Sequence, residues 1–182
     1  MGCLLKKLCT EFNRRQLAYC VAGGFAASLW GPPRGTEDID MLVMIADEDR
    51  ERFGKFLAAR FHLLQSHDQE MVFSGIAIWR HIIQFGKQQS LFPLDLIMAK
   101  NDFLIHALSR RIELSYQGTT IPVISLEDLI ILKLISFRDI DKYDIENLLK
   151  SEKPVDWPYL DKQIHKLRLN KAFIRQFRNN KL

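Results

Sequence analysis

The chain has 182 residues, of which 47% are hydrophobic and 26% are charged, and its net charge is +4. This composition excludes a disordered chain and suits one domain, with or without a small appendage. The slight positive charge is compatible with phosphate-bearing partners. Three cysteines without a paired spacing predict reduced thiols in a cytoplasmic protein. The uncharged run 17–33 is too short for a membrane span, so no membrane partner is expected.

Hydrophobic periodicity and turn residues predict the secondary structure in chain order. In the first half, the predicted helices are 4–17, 25–30 and 47–60. The predicted strands are 19–22 and 39–45. Strands are then predicted at 71–73, 76–85, 94–98, 112–116 and 120–123, with a helix at 102–109. After a capping-box pattern at Ser125, the chain reads as helical at 126–137, 139–150 and 159–181.

This order predicts an α/β (α+β) fold in which a mixed β-sheet is flanked by helices. We expect residues 1–124 to form the sheet-containing domain and residues 125–182 to form a helical C-terminal region packed on it.

Two aspartates lie one residue apart in a strand that is otherwise apolar. Asp38 and Asp40 share one face of this strand, roughly 7 Å apart along the backbone. Carboxylates at this spacing can converge on a pair of metal ions about 4 Å apart, and Mg²⁺ is the hard cation that suits them. The alternative is a pair of aspartates at a solvated strand end.

A glycine pair and an arginine lie close to these aspartates in the sequence. Gly23 and Gly24 stand between a strand and a helix, where backbone N–H groups can approach a phosphate. Close helix–strand packing is the alternative. Arg34, four residues before Asp38, is a candidate for bidentate phosphate binding, or else a solvated loop residue.

A third carboxylate, Asp95, lies inside the apolar strand 94–98. A lone acid there is costly unless something compensates its charge. The compensation is either a metal ion shared with the other two aspartates or an ion pair with Arg80 or Lys100.

Together these motifs resemble the polymerase-beta-like nucleotidyltransferase superfamily. The resemblance rests on "GG", a thirteen-residue spacer, "DIDM", and Asp95 in "LDLI". The chain is most similar to small bacterial nucleotidyltransferases related to the abortive-infection toxin (AbiEii-like) group. These share "GG…G…R.T.DID" and a segment like 125–149, where the recurrent residues are Lys133, Arg138, Asp141 and Asp144.

The chain departs from this pattern at two places. It has Gly-Gly where minimal antitoxin nucleotidyltransferases have Gly-Ser, and Ile140-Asp141 where the subgroup often has Lys-Asp. A purely structural role is the alternative for the helical segment. Lys133 then suits a snorkelling residue, and Arg138, Asp141 and Asp144 suit an ion-pair ladder on a helix surface.

The resemblance implies an enzyme that moves a nucleoside monophosphate from a nucleoside triphosphate to an acceptor hydroxyl and releases pyrophosphate. It implies catalytic and metal-binding roles for Asp38, Asp40 and Asp95. The expected cofactor is a pair of Mg²⁺ ions, for which Mn²⁺ can substitute. The expected nucleotide contacts are Gly23, Gly24, Arg34, Thr36, Lys133 and Arg138.

The acceptor stays open at this point. A small hydroxyl compound such as an aminoglycoside or lincosamide antibiotic, an RNA or tRNA end, and a partner protein in a toxin–antitoxin or phage-defence setting all fit. The basic segment 165–182 suits either an RNA backbone contact or a solvated helix face. A rival function is a non-catalytic nucleotide-binding or antitoxin module that keeps the motif residues.

Overall fold

The computed structural model describes residues 1–67 and 69–178. Its helices are α1 (Gly2–Arg14), α2 (Gly23–Trp30), α3 (Arg50–Arg60), α4 (Asp102–Ser109), α5 (Leu126–Ser136), α6 (Asp139–Lys150), α7 (Trp157–Lys166) and α8 (Lys171–Arg178). Its strands are β1 (Tyr19–Val21), β2 (Ile39–Val43), β3 (His62–Ser66), β4 (Met71–Phe73), β5 (Ile76–Phe85), β6 (Ser90–Met98), β7 (Ile112–Tyr116) and β8 (Thr119–Val123). The predicted helical character of residues 179–181 lies outside the described residues.

Within this part of the chain, eight strands form a mixed sheet. Their order is β3-β5-β6-β2-β1-β8-β7, and β4 also pairs with β5. β2 runs parallel to β6, and β1 runs parallel to β8, while β5 and β6 form a long antiparallel hairpin. The predicted α/β fold with a mixed sheet flanked by helices is therefore confirmed.

The core is built from helix faces that match the sequence periodicity. In α1, Leu4, Leu8 and Phe12 recur every four residues and are fully buried. In α5, every residue from Leu126 to Leu134 is buried, because this helix contacts α2, α6 and α7. The C-terminal helices thus contribute to the core, and the proposed boundary at residue 124 stays a prediction.

Several element boundaries differ from the sequence-based expectation. α1 ends at Arg14 because the chain turns at Gln16, which has a φ of 54°. The helix expected at 159–181 is two helices, α7 and α8, with Arg168 at a φ of 54° between them. β3 was not predicted, since its side chains are mostly exposed and lack an alternating pattern. None of the described helices is long and apolar enough to cross a bilayer.

Candidate functional site

A cavity of about 500 Å³ opens where the start of α2 meets β2, β5, β6 and the helices α5 and α6. All nine residues that the sequence analysis selected line this one cavity: Gly23, Gly24, Arg34, Thr36, Asp38, Asp40, Asp95, Lys133 and Arg138. They come from segments more than 100 residues apart in the chain, which the fold brings together. The volume lies within the range of small-molecule sites.

Gly23 starts α2 in direct contact with Asp40. Its φ is +56°, in the left-handed region that side chains rarely adopt. A Cβ atom added there would lie 2.6 Å from the Asp40 Cβ and closer still to the carboxylate. The glycine is therefore required both by the backbone conformation and by the proximity of the acid.

We expect Gly23→Ala to destabilise the protein by about 1–3 kcal/mol, because it forces a strained φ and displaces Asp40. Gly35→Ala is the matched control: a Cβ atom there meets nothing within 4 Å, and its φ is not positive. Urea denaturation of both variants measures the difference. Equal stabilities would contradict the close contact between Gly23 and Asp40.

Gly24 faces the loop that carries Arg34 and Thr36. A Cβ atom on Gly24 would lie 2.7 Å from both Arg34 Nη2 and Thr36 Oγ1. The Thr36 hydroxyl in turn donates to Asp38 Oδ1 at 3.3 Å. The second glycine thus lets this loop close over the start of α2 and sets the position of Asp38.

Asp40 and Asp95 are neighbours across the parallel pair β2–β6, where their Cα atoms are in register. Burial, followed by repulsion from Asp95 and then from Asp38, raises the pKa of Asp40 to about 7. Lys133 and the backbone N–H of Gly24 act in the opposite direction. The acids at the cavity floor therefore repel one another more than the neighbouring cations compensate.

The repulsion between these acids makes the site suited to a cation. A divalent cation on Asp38 and Asp40 would relieve it, and carboxylate oxygens are the ligands that Mg²⁺ prefers. The donor chemistry of these two residues therefore fits Mg²⁺. Among residues 1–67 and 69–178, no three acidic, histidine or cysteine side chains are grouped as a ready metal site.

Asp95 has a cation partner of its own. Arg80 donates from Nε to Oδ1 at 2.7 Å and from Nη2 to Oδ2 at 2.5 Å, a bidentate pair across the β5–β6 hairpin. These hydrogen bonds also raise the pKa of Arg80. The ion pair with Arg80, one of the alternatives left open by the sequence, is thus present, whereas Lys100 pairs with Asp47 and Glu70.

A second group of charges joins α5 and α6, which form one side of the cavity, to the loop of Arg34. Asp144 is buried and accepts from Lys133 Nζ at 2.6 Å and from Arg34 Nη2 at 2.8 Å. Lys133 is buried too, so it does not snorkel to solvent, and that alternative is wrong. The alternative of a solvated loop arginine is wrong for Arg34, whose side chain is only 22% exposed.

Asp141 joins the same group at the start of α6. Its carboxylate accepts from Arg138 Nε at 2.7 Å, from the Arg138 backbone N–H at 3.1 Å and from the Ser136 hydroxyl at 2.8 Å. Burial alone would raise the pKa of Asp141, but these hydrogen bonds, Arg138 first, hold it below its usual value. The alternative of an ion-pair ladder on a helix surface is wrong, because Asp141 and Asp144 are buried.

The chain is similar in sequence and in fold to proteins described as nucleotidyltransferases. Residues 94–181, just under half of the chain, match the family model described as nucleotidyltransferase of unknown function (DUF6036). An antigenic nucleotidyltransferase-like protein from Paracoccidioides brasiliensis is similar in structure, with a TM-score of 0.54 and 17% identity, covering 88% of this chain and 83% of that one. No curated protein sequence matches the chain significantly.

Two bacterial structures agree with this result. A candidate nucleotidyltransferase from Thermotoga maritima has a TM-score of 0.54 and 15% identity, covering 72% of this chain and 81% of that one. Another, from Helicobacter pylori, has a TM-score of 0.55 and 17% identity, covering 82% and 66%. The chain has a nucleotidyltransferase fold. At these identities the likeness concerns the fold alone, so the AbiEii-like subgroup stays a prediction.

On this nucleotidyltransferase fold, sequence reasoning missed two parts of the cavity. The sequence suggested Arg80 only as an ion-pair partner for Asp95. The two-residue period of β5 puts Arg80 on the same strand face as Ile78, and both residues line the cavity. The apolar strand β4, whose Met71, Val72 and Phe73 are all exposed, also lines the cavity. These three consecutive exposed residues form an apolar part of the cavity lining.

Proposed function

We propose that this protein is an enzyme that transfers a nucleoside monophosphate from a nucleoside triphosphate to an acceptor hydroxyl. The observation that carries the proposal is the meeting of Asp38 and Asp40 with the glycine turn at the start of α2 in one cavity. Acids that hold a cation, next to backbone N–H groups that bind phosphate, are what this reaction requires.

The triphosphate is bound by the cationic side of the cavity. Gly23 and Gly24 lie at the N-terminus of α2, which has no side-chain cap and whose positive dipole end favours a phosphate. Lys133, Arg138 and Arg34 line the same cavity and supply positive charge. Since the buried aspartates of α6 hold these cations, they are already oriented before a nucleotide arrives.

Asp38 and Asp40 would hold Mg²⁺ or Mn²⁺. When bound, the ion neutralises the phosphate charge and favours attack by the acceptor oxygen on the α-phosphorus. Asp95 accepts the proton of the acceptor hydroxyl while the acceptor oxygen forms its bond to the α-phosphorus. The bond between the α-phosphorus and the bridging oxygen breaks, and pyrophosphate leaves.

The residues of β4 and Ile76 form an apolar wall of the cavity, which favours an acceptor with an apolar part near its hydroxyl. An RNA or tRNA end, a partner protein of a toxin–antitoxin or phage-defence pair, and an antibiotic of the aminoglycoside or lincosamide type are the acceptors to be compared.

The test uses the purified chain, Mg²⁺ or Mn²⁺, and each nucleoside triphosphate labelled on the α-phosphate. We expect label to move to one of the acceptors or to the protein itself. Label on the γ-phosphate is the matched control, and it must leave with pyrophosphate. Transfer of the γ-label would instead indicate a kinase.

Thermal melting with metal and nucleotide separates binding from turnover. A ligand at one hundred times its Kd adds about 2.7 kcal/mol to the stability of the folded state. A raised melting temperature without transfer to any acceptor would favour the non-catalytic nucleotide-binding module. An unchanged melting temperature together with no transfer would contradict the proposed function.

A further inference from the structure

Arg80, Asp95 and Asp40 form a row across three adjacent strands. Arg80 on β5 is in register with Asp95 on β6, and Asp95 is in register with Asp40 on β2. Residues in register on neighbouring strands project from the same face, so all three line the cavity. The row places a permanent cation at one end of the acidic cluster.

The pairing of Arg80 with Asp95 occupies both oxygens of that carboxylate. Each oxygen accepts one guanidinium hydrogen bond, at 2.7 Å and 2.5 Å, and the Asp95 side chain is 6% exposed. An arginine stays protonated at any pH at which the protein folds, and its planar fork matches the carboxylate. Each oxygen keeps a second lone pair, but a metal ion bound there would lie beside the fixed guanidinium charge.

The charges lead to the same conclusion. Asp38, Asp40 and Asp95 carry three negative charges when ionised, and Arg80 cancels one of them. One dication then balances the remaining two, whereas a pair of dications would lie beside a fixed positive charge. Asp40 stands at the end of the row away from Arg80, as expected for the end that takes the cation.

We propose that Arg80 withholds Asp95 from metal coordination, so that the site takes a single divalent cation on Asp38 and Asp40. Arg80 is then a positioning residue, which orients Asp95 and takes the place of a second ion. The inference rests on the proposed nucleotidyl transfer, and it differs from the three-carboxylate, two-ion site that the sequence predicts.

The test counts metal ions rather than measuring activity. Mn²⁺ is titrated by electron paramagnetic resonance into the full chain, with nucleoside triphosphate analogues whose α- and β-phosphates are joined by a methylene group. We expect one bound Mn²⁺ in the wild type, with no coupling to a second spin.

In Arg80→Gln we expect a second, spin-coupled ion, or a single ion bound at least roughly tenfold tighter, since a nearby unit charge is gone. Arg52→Gln, with the same charge change on a side chain that is 74% exposed and outside the cavity, should resemble the wild type.

Asp95→Asn is the second variant, because Arg80→Gln leaves a buried carboxylate without its cation and is the less stable protein. The inference expects Asp95→Asn to keep one Mn²⁺, bound roughly tenfold more weakly because Arg80 is left without its anion. Two coupled ions in the wild type, or loss of the ion in Asp95→Asn, would overturn the role of Arg80 and leave the proposed function intact. No bound Mn²⁺ with any nucleotide analogue would contradict the proposed function itself, and this inference with it.

Discussion

Asp40→Asn is expected to abolish nucleotidyl transfer and, in metal-free buffer near pH 8, to raise the free energy of unfolding by roughly 1–4 kcal/mol. Asparagine keeps the shape of aspartate but lacks the charge that holds a cation. The stability gain follows from the environment of Asp40, where burial and the charges of Asp95 and Asp38 raise its pKa to about 7. Removing the charge removes this unfavourable ionisation.

The pH dependence has a definite sign. The pKa of Asp40 is higher in the folded protein than in the unfolded chain, so the folded state binds the extra proton between about pH 4 and pH 7. The wild type therefore loses stability as the pH rises through this window, and the advantage of Asp40→Asn shrinks to nothing near pH 4. Urea denaturation in EDTA at several pH values measures the difference.

Asp139→Asn is the control for this experiment, because Asp139 has a side chain that is 98% exposed. Asp139→Asn should change the free energy of unfolding by less than about 0.5 kcal/mol at every pH tested. A clear loss of stability in Asp40→Asn at high pH would mean that Asp40 is a structural ion-pair partner, and the assignment of Asp40 as a metal ligand would fail even if transfer were lost.

Asp144→Ala is expected to lower the free energy of unfolding by about 3 kcal/mol and to weaken nucleotide binding. The change leaves the buried ammonium of Lys133 without its 2.6 Å partner and frees Arg34 from its anchor. Breaking a buried ion pair typically costs about 3–5 kcal/mol. We expect the lower end, since Asp141 still lies 3.5 Å from Lys133. Urea denaturation and titration with a nucleoside triphosphate analogue give the two quantities.

Two variants control for this result. Glu146→Ala breaks an exposed pair with Lys150 on the same helix and should change stability by less than about 1 kcal/mol. The double variant Lys133→Met with Asp144→Leu replaces the pair with apolar groups and should recover part of the stability, since Arg34 still lacks its partner, without recovering nucleotide binding. Stability lost equally in Asp144→Ala and the double variant would show that an unpaired Lys133 is not the cause of the loss.

The fold class and most elements could be predicted because their signals are local. The four-residue repeat of apolar residues in α1 specifies a helix with one buried face, and the continuous apolar run of β2 specifies a strand buried on both faces. β3 was missed because its exposed residues follow no alternation. The break between α7 and α8 was missed because the turn at Arg168 adopts a positive φ without a glycine to signal it.

The site divides in the same way. The spacing of Asp38, just before β2, and Asp40, within it, and the glycine pair before a helix are short-range patterns that the backbone keeps close together. By contrast, the sequence alone left the partners of Asp95 and Lys133 open. An ion pair between residues on different elements depends on strand register and helix packing, and neither is encoded in local periodicity.

The sequence by itself therefore determined which residues carry charge, where glycines free the backbone, and that two acids lie one residue apart in the chain. Only the tertiary structure decided that Arg80, rather than Lys100, neutralises Asp95, since β5 and β6 pair with Arg80 opposite that acid. It likewise decided that Asp144 is buried against Lys133 rather than exposed on a helix surface. The physical reason is that the free energy of a charge depends on the distance and solvent exposure of its neighbours, and both are properties of the assembled fold.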